Sequence, residues 1–444
     1  MREKKEEFDF PHYEYRRLHC AYIPSTAFVS VRQGKSDSRF IIREGDEVSE
    51  GQIIASGYKN AVPVHAPIPG IVSEIAERTM PDGSRAECAV LQFRGGFAFE
   101  GKEQVYTDYR KKQGSHKLIP LIRQHGIINT FDLDNNSLAE QLDKAGSDNY
   151  VLAVRLFDFD PGCSRDGFIS SFFTKEVIEG ACLCARAMHT ESLVFFYGGE
   201  DFRLPDEKTL EALCDTISCR FIKIDTRFYP SGSQRVLEKI LQKNTVQHTK
   251  PGSEKAFRNF EKGKNKALFI DSATAYAVYR CLCLSVPFTD TVVEVNGPAL
   301  HESKMFKVKI GTPIRRLLEE CGGCEKEPAK IIINGLIKGT AVSDLDIPVT
   351  KYVKTVTLLS ADSIPDQRIS DCIHCGFCRK ACPLGIQSDR IYSHFVNKTP
   401  LGADILLSAH LCDDCALCNA ACPARLPLYQ TVSKYKEKQD AAQL

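Results

Sequence analysis

Eight cysteines near the end of the chain constrain its fold more than any other feature. They read Cys372-x-x-Cys375-x-x-Cys378-x-x-x-Cys382-Pro383, and the same pattern returns as Cys412-x-x-Cys415-x-x-Cys418-x-x-x-Cys422-Pro423. This spacing folds around pairs of 4Fe–4S cubanes. Two-residue gaps let one tight loop aim three thiolates at one cube, and Gly376 has no Cβ to obstruct that approach. The three-residue gap carries the fourth cysteine onto a following helix, away from the first cube, and the proline ends the loop. The spacing therefore predicts one cluster on Cys372, Cys375, Cys378 and Cys422, and a second on Cys412, Cys415, Cys418 and Cys382. A structural zinc site uses two pairs of ligands and leaves the third thiol unexplained. A disulfide framework suits small secreted domains, not a chain of 444 residues.

That length predicts several compact units rather than one core. Nineteen cysteines, with no framework among the remaining eleven, point to a reducing compartment, and the charged opening Met-Arg-Glu-Lys-Lys-Glu-Glu is not a signal peptide. A net charge of +1 gives no reason to propose nucleic acid as a partner. No apolar run approaches the roughly 18–20 residues of a membrane span, so other subunits would have to hold the chain at a membrane.

Along the chain, residues 1–22 read as an N-terminal extension. Residues 23–100 show short β runs broken by glycine and proline, notably Arg43–Ile54 and Val64–Val72. They resemble the barrel-sandwich hybrid of biotinyl and lipoyl domains. The carrier lysine is absent from the turn Ala66-Pro67-Ile68-Pro69-Gly70, and His65 reads as structural. Residues 101–117 form a polar linker. From 118 to 285 helices (Ser137–Lys144, Lys175–His189, Pro205–Ile217, Gln234–Lys243) alternate with strands (Tyr150–Leu156, Ser192–Phe196, Arg220–Ile224, Ala267–Ile270), which implies an α/β layer with a parallel sheet. Pro205 is placed in the first turn of its helix, and Lys250–Lys266 reads as a solvated insertion. Residues 286–360 give strands Thr291–Val295, Phe306–Ile310 and Lys330–Ile333 with a helix Pro313–Cys321, a β-grasp module. Residues 361–430 hold the two-cluster helical region, and 431–444 read as a polar tail. The fold class is thus multidomain α/β and α+β.

This order resembles the RnfC family, the peripheral iron–sulfur subunit of the Rnf ion-translocating electron-transport complex. Gly45-Asp46 through Gly51-Gln52, His65-Ala66-Pro67, Tyr229-Pro230-Ser231-Gly232, Thr274–Tyr279, Val295–Pro298 and Ile310–Pro313 carry the likeness together with the eight cysteines. The resemblance implies an α/β domain like the flavin- and NADH-binding subunit of complex I, an SLBB-like β-grasp module and a ferredoxin-type domain. It further implies two 4Fe–4S clusters, FMN and NADH as possible cofactors, membrane subunits and a soluble redox partner, and a place on the cytoplasmic face of the plasma membrane.

The chain departs from the family at the flavin site. The family's glycine-rich loop, similar to G-x-G-G-A-x-F-P-T, is here Gly126-Ile-Ile-Asn-Thr-Phe-Asp132-Leu-Asp134. Only the first glycine remains, and two carboxylates oppose a phosphate. An N-x-x-E-C-E-P-like signature reads Arg155-Leu-Phe-Asp158-Phe-Asp160-Pro161, its acids read as solvated loop residues or a functional remnant, and a G-G-P-M-M-G-like turn reads Asn334–Gly339. These losses count against flavin, NADH and an NADH dehydrogenase activity of the chain's own. A soluble cobalamin-reductase-like flavoprotein and a scaffold that wires neighbours together are the alternatives. Cys321-Gly-Gly-Cys324 ends a helix and reads as a cap, while Cys182/Cys184 and Cys281/Cys283, at i, i+2, read as core or surface cysteines. Asp413 and Asp414 inside the second motif, against Arg379 and Lys380 beside the first, predict the lower potential for the cluster on the second three-cysteine loop.

Overall fold

The computed structural model describes residues 6–7, 13–33, 38–57, 61–109, 117–132, 137–146, 150–199, 202–242, 266–364 and 368–442. Leu133, Asp134 and nearly all of the lysine-rich 250–266 segment lie outside the described residues, as does most of the start of the chain.

The glycine-punctuated β runs fold into two small sheets. Thr26–Ser30, Arg85–Phe93, Gly70–Thr79 and Glu47–Val48 make one, and Arg39–Phe40, Ile53–Ser56 and Val64–His65 the other. Their apolar faces meet in a core containing Val29, Ile54, Ile68 and Leu91. This is the barrel-sandwich hybrid expected from the turns. The Ala66–Gly70 turn is buried throughout, so it presents no arm to solvent.

Strand–helix alternation in the middle of the chain produces a parallel sheet in the order Ser218–Ile224, Ser192–Gly198, Tyr150–Arg155, Lys266–Asp271. Its strands read as near-continuous apolar runs because both faces are covered. The helices at Leu138–Gly146, Thr174–Ala187 and Gln234–Gln242 fall where the sequence puts them. Pro205 does not. The helix begins at Glu207 and is capped by Asp206, whose carboxylate accepts the Thr209 amide at 2.9 Å.

The next region forms a six-stranded sheet ordered Thr340–Val342, Pro328–Ile333, Thr355–Ser360, Asp290–Asn296, Lys304–Lys309, His19–Cys20. The helix Ile314–Glu320 buries Ile314, Leu317 and Leu318 against it. Three of these strands escape the sequence reading, including Thr355–Ser360 at the centre and His19–Cys20, which comes from the segment read as an extension. The polar tail is also corrected. Leu428–Ala442 is a helix, with Leu428 and Val432 buried and Tyr435 packed beside them. A 4-then-3 apolar spacing in a polar stretch makes that stripe. No helix among the described residues is long and apolar enough to cross a membrane.

Two buried cations fasten the barrel to the rest. Lys309 Nζ lies 2.7 Å from Glu50 Oε1 and 2.9 Å from Glu100 Oε2. Lys351, 1% exposed, donates to the carbonyls of Gly126 (2.8 Å) and Pro63 (3.2 Å), and among the described residues no carboxylate pairs with it. Burial pulls the Lys351 ammonium down to about 7. Its folded value lies below the unfolded one, so from about pH 7 to 10 the unfolded chain holds the extra proton and stability rises with pH. Relative to Lys351→Met, the wild-type protein should gain about 1 kcal/mol per pH unit across that window. Urea midpoints of the anaerobic proteins at pH 7.5 and 9.5 check this, and parallel pH curves would contradict it.

Candidate functional site

The two cysteine motifs take the same backbone shape. The residue before each second cysteine is left-handed (His374, φ 54°, and Asp414, φ 47°), as is the residue after it (Gly376, φ 73°, and Ala416, φ 59°). Gly385 and Arg425, three places beyond each fourth cysteine, match in the same way. Left-handed backbone costs about 1–2 kcal/mol for an L-residue, so its recurrence at non-glycine positions marks a conformation that the loop requires. Gly376 is explained by its φ rather than by crowding, because no protein atom lies within 4 Å of where its Cβ would stand and Ala416 carries a Cβ at the equivalent place. The short helices Phe377–Ala381 and Leu417–Ala420 carry the third cysteines. Contrary to expectation, the fourth cysteines follow these helices instead of riding on a later one; Cys382 is extended at φ −64°, ψ 119°.

The loops gather the thiols into two groups. Cys372, Cys375, Cys378 and Cys422 line one small hollow with Leu426 and Leu428. Cys382, Cys412, Cys415 and Cys418 line the other with Ile386 and Val432. Each hollow takes three cysteines from one motif and the fourth from its twin. Burial pushes the Cys412 and Cys418 thiols up to about 12 and Cys415 to about 11. The two hollows differ in exposure. Cys375 is exposed and flanked by exposed Ile373 and Phe377, whereas Cys415 is buried and its carbonyl accepts the Tyr229 hydroxyl at 2.6 Å.

Charges beside the motifs are neutralised locally. Asp414 pairs with Lys436 at 2.7 Å, and Lys436 also donates to the Cys412 carbonyl. Arg379 is held by Asp389 through two bonds of 2.7 and 2.5 Å. The ranking of the two sites by neighbouring charge then rests on Asp413 and Lys380, since Asp414 and Arg379 are paired. The Lys436 helix, taken as a tail, supplies the missing partner.

A cleft of about 560 Å³ opens between the carboxyl end of the parallel sheet, the 334–338 turn and Cys412–Asp414 of the second motif. Two of its cations, Arg155 and Lys354, are already engaged, while Lys338 lies over the Phe159 ring. Arg155, 1% exposed, donates to the carbonyls of Phe157 (3.1 Å), Gly232 (2.9 Å) and Phe131 (3.0 Å). Lys354 pairs with Asp271 at 2.8 Å and Asp166 at 3.1 Å. Asp158 and Asp160 are not solvated loop acids. Asp158 accepts the amides of Asp166 and Gly167, and burial raises it to about 6. Asp160 accepts those of Gly162 and Ile337 and so fastens the 334–338 turn.

The loop that would cradle a flavin phosphate does not fit one. Three of its amides are consumed internally: Ile127 donates to Ile122 O, Thr130 to Thr274 Oγ1 and Phe131 to Asn129 Oδ1. Asp132 stands on the cleft wall. Gly126 survives for packing, since at φ +64° a Cβ there would lie 2.2 Å from Pro63 O. His65 is buried and its Nδ1 has no hydrogen-bond partner; burial and Lys351 hold it well below its usual range, as a neutral structural side chain. Cys321 is buried and Cys324 exposed at the helix end. Among the remaining cysteines, Cys182 meets Cys214 and Cys219, which lie five residues apart and more than thirty beyond it.

Comparison with known proteins fits this architecture. Residues 14–95 match the family model of the RnfC barrel sandwich hybrid domain. The chain is RnfC-like. It is 26% identical over 376 residues to a component of the ion-translocating oxidoreductase complex of Klebsiella pneumoniae (strain 342), covering 83% of this chain and 48% of that protein. It is 28% identical over 375 residues to a component of the proton-translocating ferredoxin:NAD(+) oxidoreductase complex of Clostridium ljungdahlii, covering 83% and 78%. The chain thus spans about half the length of the first of these relatives. A solved NAD+-reducing NiFe hydrogenase in the H2-reduced state aligns over 74% of this chain and 63% of its own, with a TM-score of 0.48 and 13% identity.

Gly126→Ala should cost about 1–3 kcal/mol of stability, the range for overpacking a tight site. Thermal or urea unfolding of the variant checks this, and an unchanged midpoint would contradict the packing role.

Proposed function

We propose that this RnfC-like chain is the peripheral electron-transfer subunit of a membrane-bound, ion-translocating oxidoreductase complex. In this reading it carries single electrons between a soluble redox partner and membrane subunits at the cytoplasmic face. The sorting of eight cysteines into two hollows, each completed by the other motif's fourth cysteine, is the observation that carries it. Cys372, Cys375, Cys378 and Cys422 would hold one 4Fe–4S cluster, and Cys412, Cys415, Cys418 and Cys382 the other. Bound there, each cluster supplies a one-electron redox centre.

The chain's own residues set the conditions around those centres. Apolar Leu426, Leu428, Ile386 and Val432 exclude water, and the left-handed loop positions turn backbone amides toward the hollows. The second hollow adjoins the cleft, while the first opens at Cys375 beside Ile373 and Phe377. That arrangement supports one side facing a small donor or acceptor and the other facing a protein partner. Residues 361–430, with both motifs, then read as a ferredoxin-type domain, and the six-stranded sheet as the SLBB-like β-grasp module. The name of the Clostridium relative mentions ferredoxin and NAD(+). Here the consumed amides of the 126–131 loop argue against flavin phosphate, so no step is assigned to a flavin.

Crossed ligation makes a specific prediction. Cys422→Ser should disturb the cluster held by the first motif, and Cys382→Ser the cluster held by the second. EPR of the dithionite-reduced proteins should therefore show a different signal altered in each variant. If Cys422→Ser and Cys418→Ser alter the same signal and leave the other intact, the crossing is wrong.

A further inference from the structure

The geometry points to a third metal site, separate from both hollows: Cys182, Cys214 and Cys219 form a thiolate pocket for a divalent, thiophilic ion such as zinc. The three Sγ atoms all lie within 4.8 Å of one another. They come from three elements: Cys182 from the middle of the Thr174–Ala187 helix, Cys214 from the last position of the Glu207–Cys214 helix, and Cys219 from the Ser218–Ile224 strand. Cys214 and Cys219 approach to 2.9 Å. Cys182 and Cys214 are buried in the main core of the α/β layer, and Cys219 is partly exposed at its edge.

Packing alone gives no reason for three thiols to converge there, because the same volume in an apolar core is filled as well by alanine and valine. Three thiolates around a tetrahedral ion at about 2.3 Å stand roughly 3.8 Å apart, within the observed limit. Binding would require Cys214 and Cys219 to separate by a little under 1 Å. Three protein ligands leave a fourth position for water, and the partly exposed Cys219 side is where it would enter. On binding, three S–H bonds break, their protons pass to solvent, and three metal–sulfur bonds form with no change of oxidation state. Soft thiolate donors select zinc-class ions over magnesium or calcium.

The test uses the full-length protein, purified anaerobically with its iron content measured, and given one equivalent of Zn(II). Zinc-edge X-ray absorption should show three sulfurs at about 2.3 Å with one lighter ligand. Competition with a chromophoric chelator should show at least a tenfold weaker Zn(II) affinity in Cys182→Ala and in Cys219→Ser, the latter altering only the partly exposed edge. Cys184→Ala, buried in the same helix, should bind as the wild type does. Three results would each overturn the proposal: wild-type zinc affinity in Cys182→Ala or Cys219→Ser, zinc uptake matched by loss of iron from the other cysteines, or a Cys214–Cys219 disulfide in the anaerobic protein with no zinc bound.

Discussion

A single buried carboxylate ties together the parts of this molecule that the sequence presents as separate. Asp271 closes the last strand of the parallel sheet and caps the helix that follows, accepting the Thr274 amide at 2.9 Å. It accepts the Thr130 hydroxyl from the degenerate glycine loop, and it faces Lys354 from the six-stranded sheet and Arg165 from a neighbouring helix. Burial opposes its charge, but Lys354 and Arg165 outweigh that cost and hold it well below the usual carboxylate range. Breaking such a buried pair typically costs about 3–5 kcal/mol. The site's geometry follows from this knot. The loop is pinned, the amides of Ile127, Thr130 and Phe131 are spent, and Arg155 and Lys354 on the wall of the cleft beside it already have partners.

The same knot holds the 126–131 loop in a shape that does not suit a phosphate. A phosphate cradle needs outward-facing amides and no Cβ in the way. Here the amides turn inward to Ile122, Asn129 and Thr274, and the one surviving glycine packs against the barrel. The paired motifs keep their form instead. Matching left-handed positions in both loops, some of them non-glycine, show that the backbone accepts local strain to aim the thiols.

Much of this was legible in the sequence. Apolar runs of strand length between amphipathic helices gave the parallel sheet, and ligand spacing gave the crossed grouping of thiols. What escaped detection has physical causes. His19–Cys20 is too short to show any periodicity, and it pairs with a strand nearly three hundred positions away. The Leu428–Ala442 helix hides because one narrow stripe, Leu428, Val432 and Tyr435, carries its packing. Asp158 and Asp160 read as solvated acids or a functional remnant because the pattern does not show the turn that brings the Ile337 amide to Asp160. The same holds for Lys436 beside Asp414 and for the Cys182 cluster: the partners are distant in sequence, and single-chain patterns report only neighbours.

We propose that the redox capacity of this chain lies in two crossed four-cysteine sites and not in a flavin. Iron, acid-labile sulfide and flavin should be assayed together on anaerobically purified protein, with NADH oxidation followed using a viologen dye. The account predicts about eight iron and eight sulfide per chain, as two cubanes require, with no flavin and no NADH oxidation. Stoichiometric flavin with NADH-driven dye reduction, or about four iron, would contradict it.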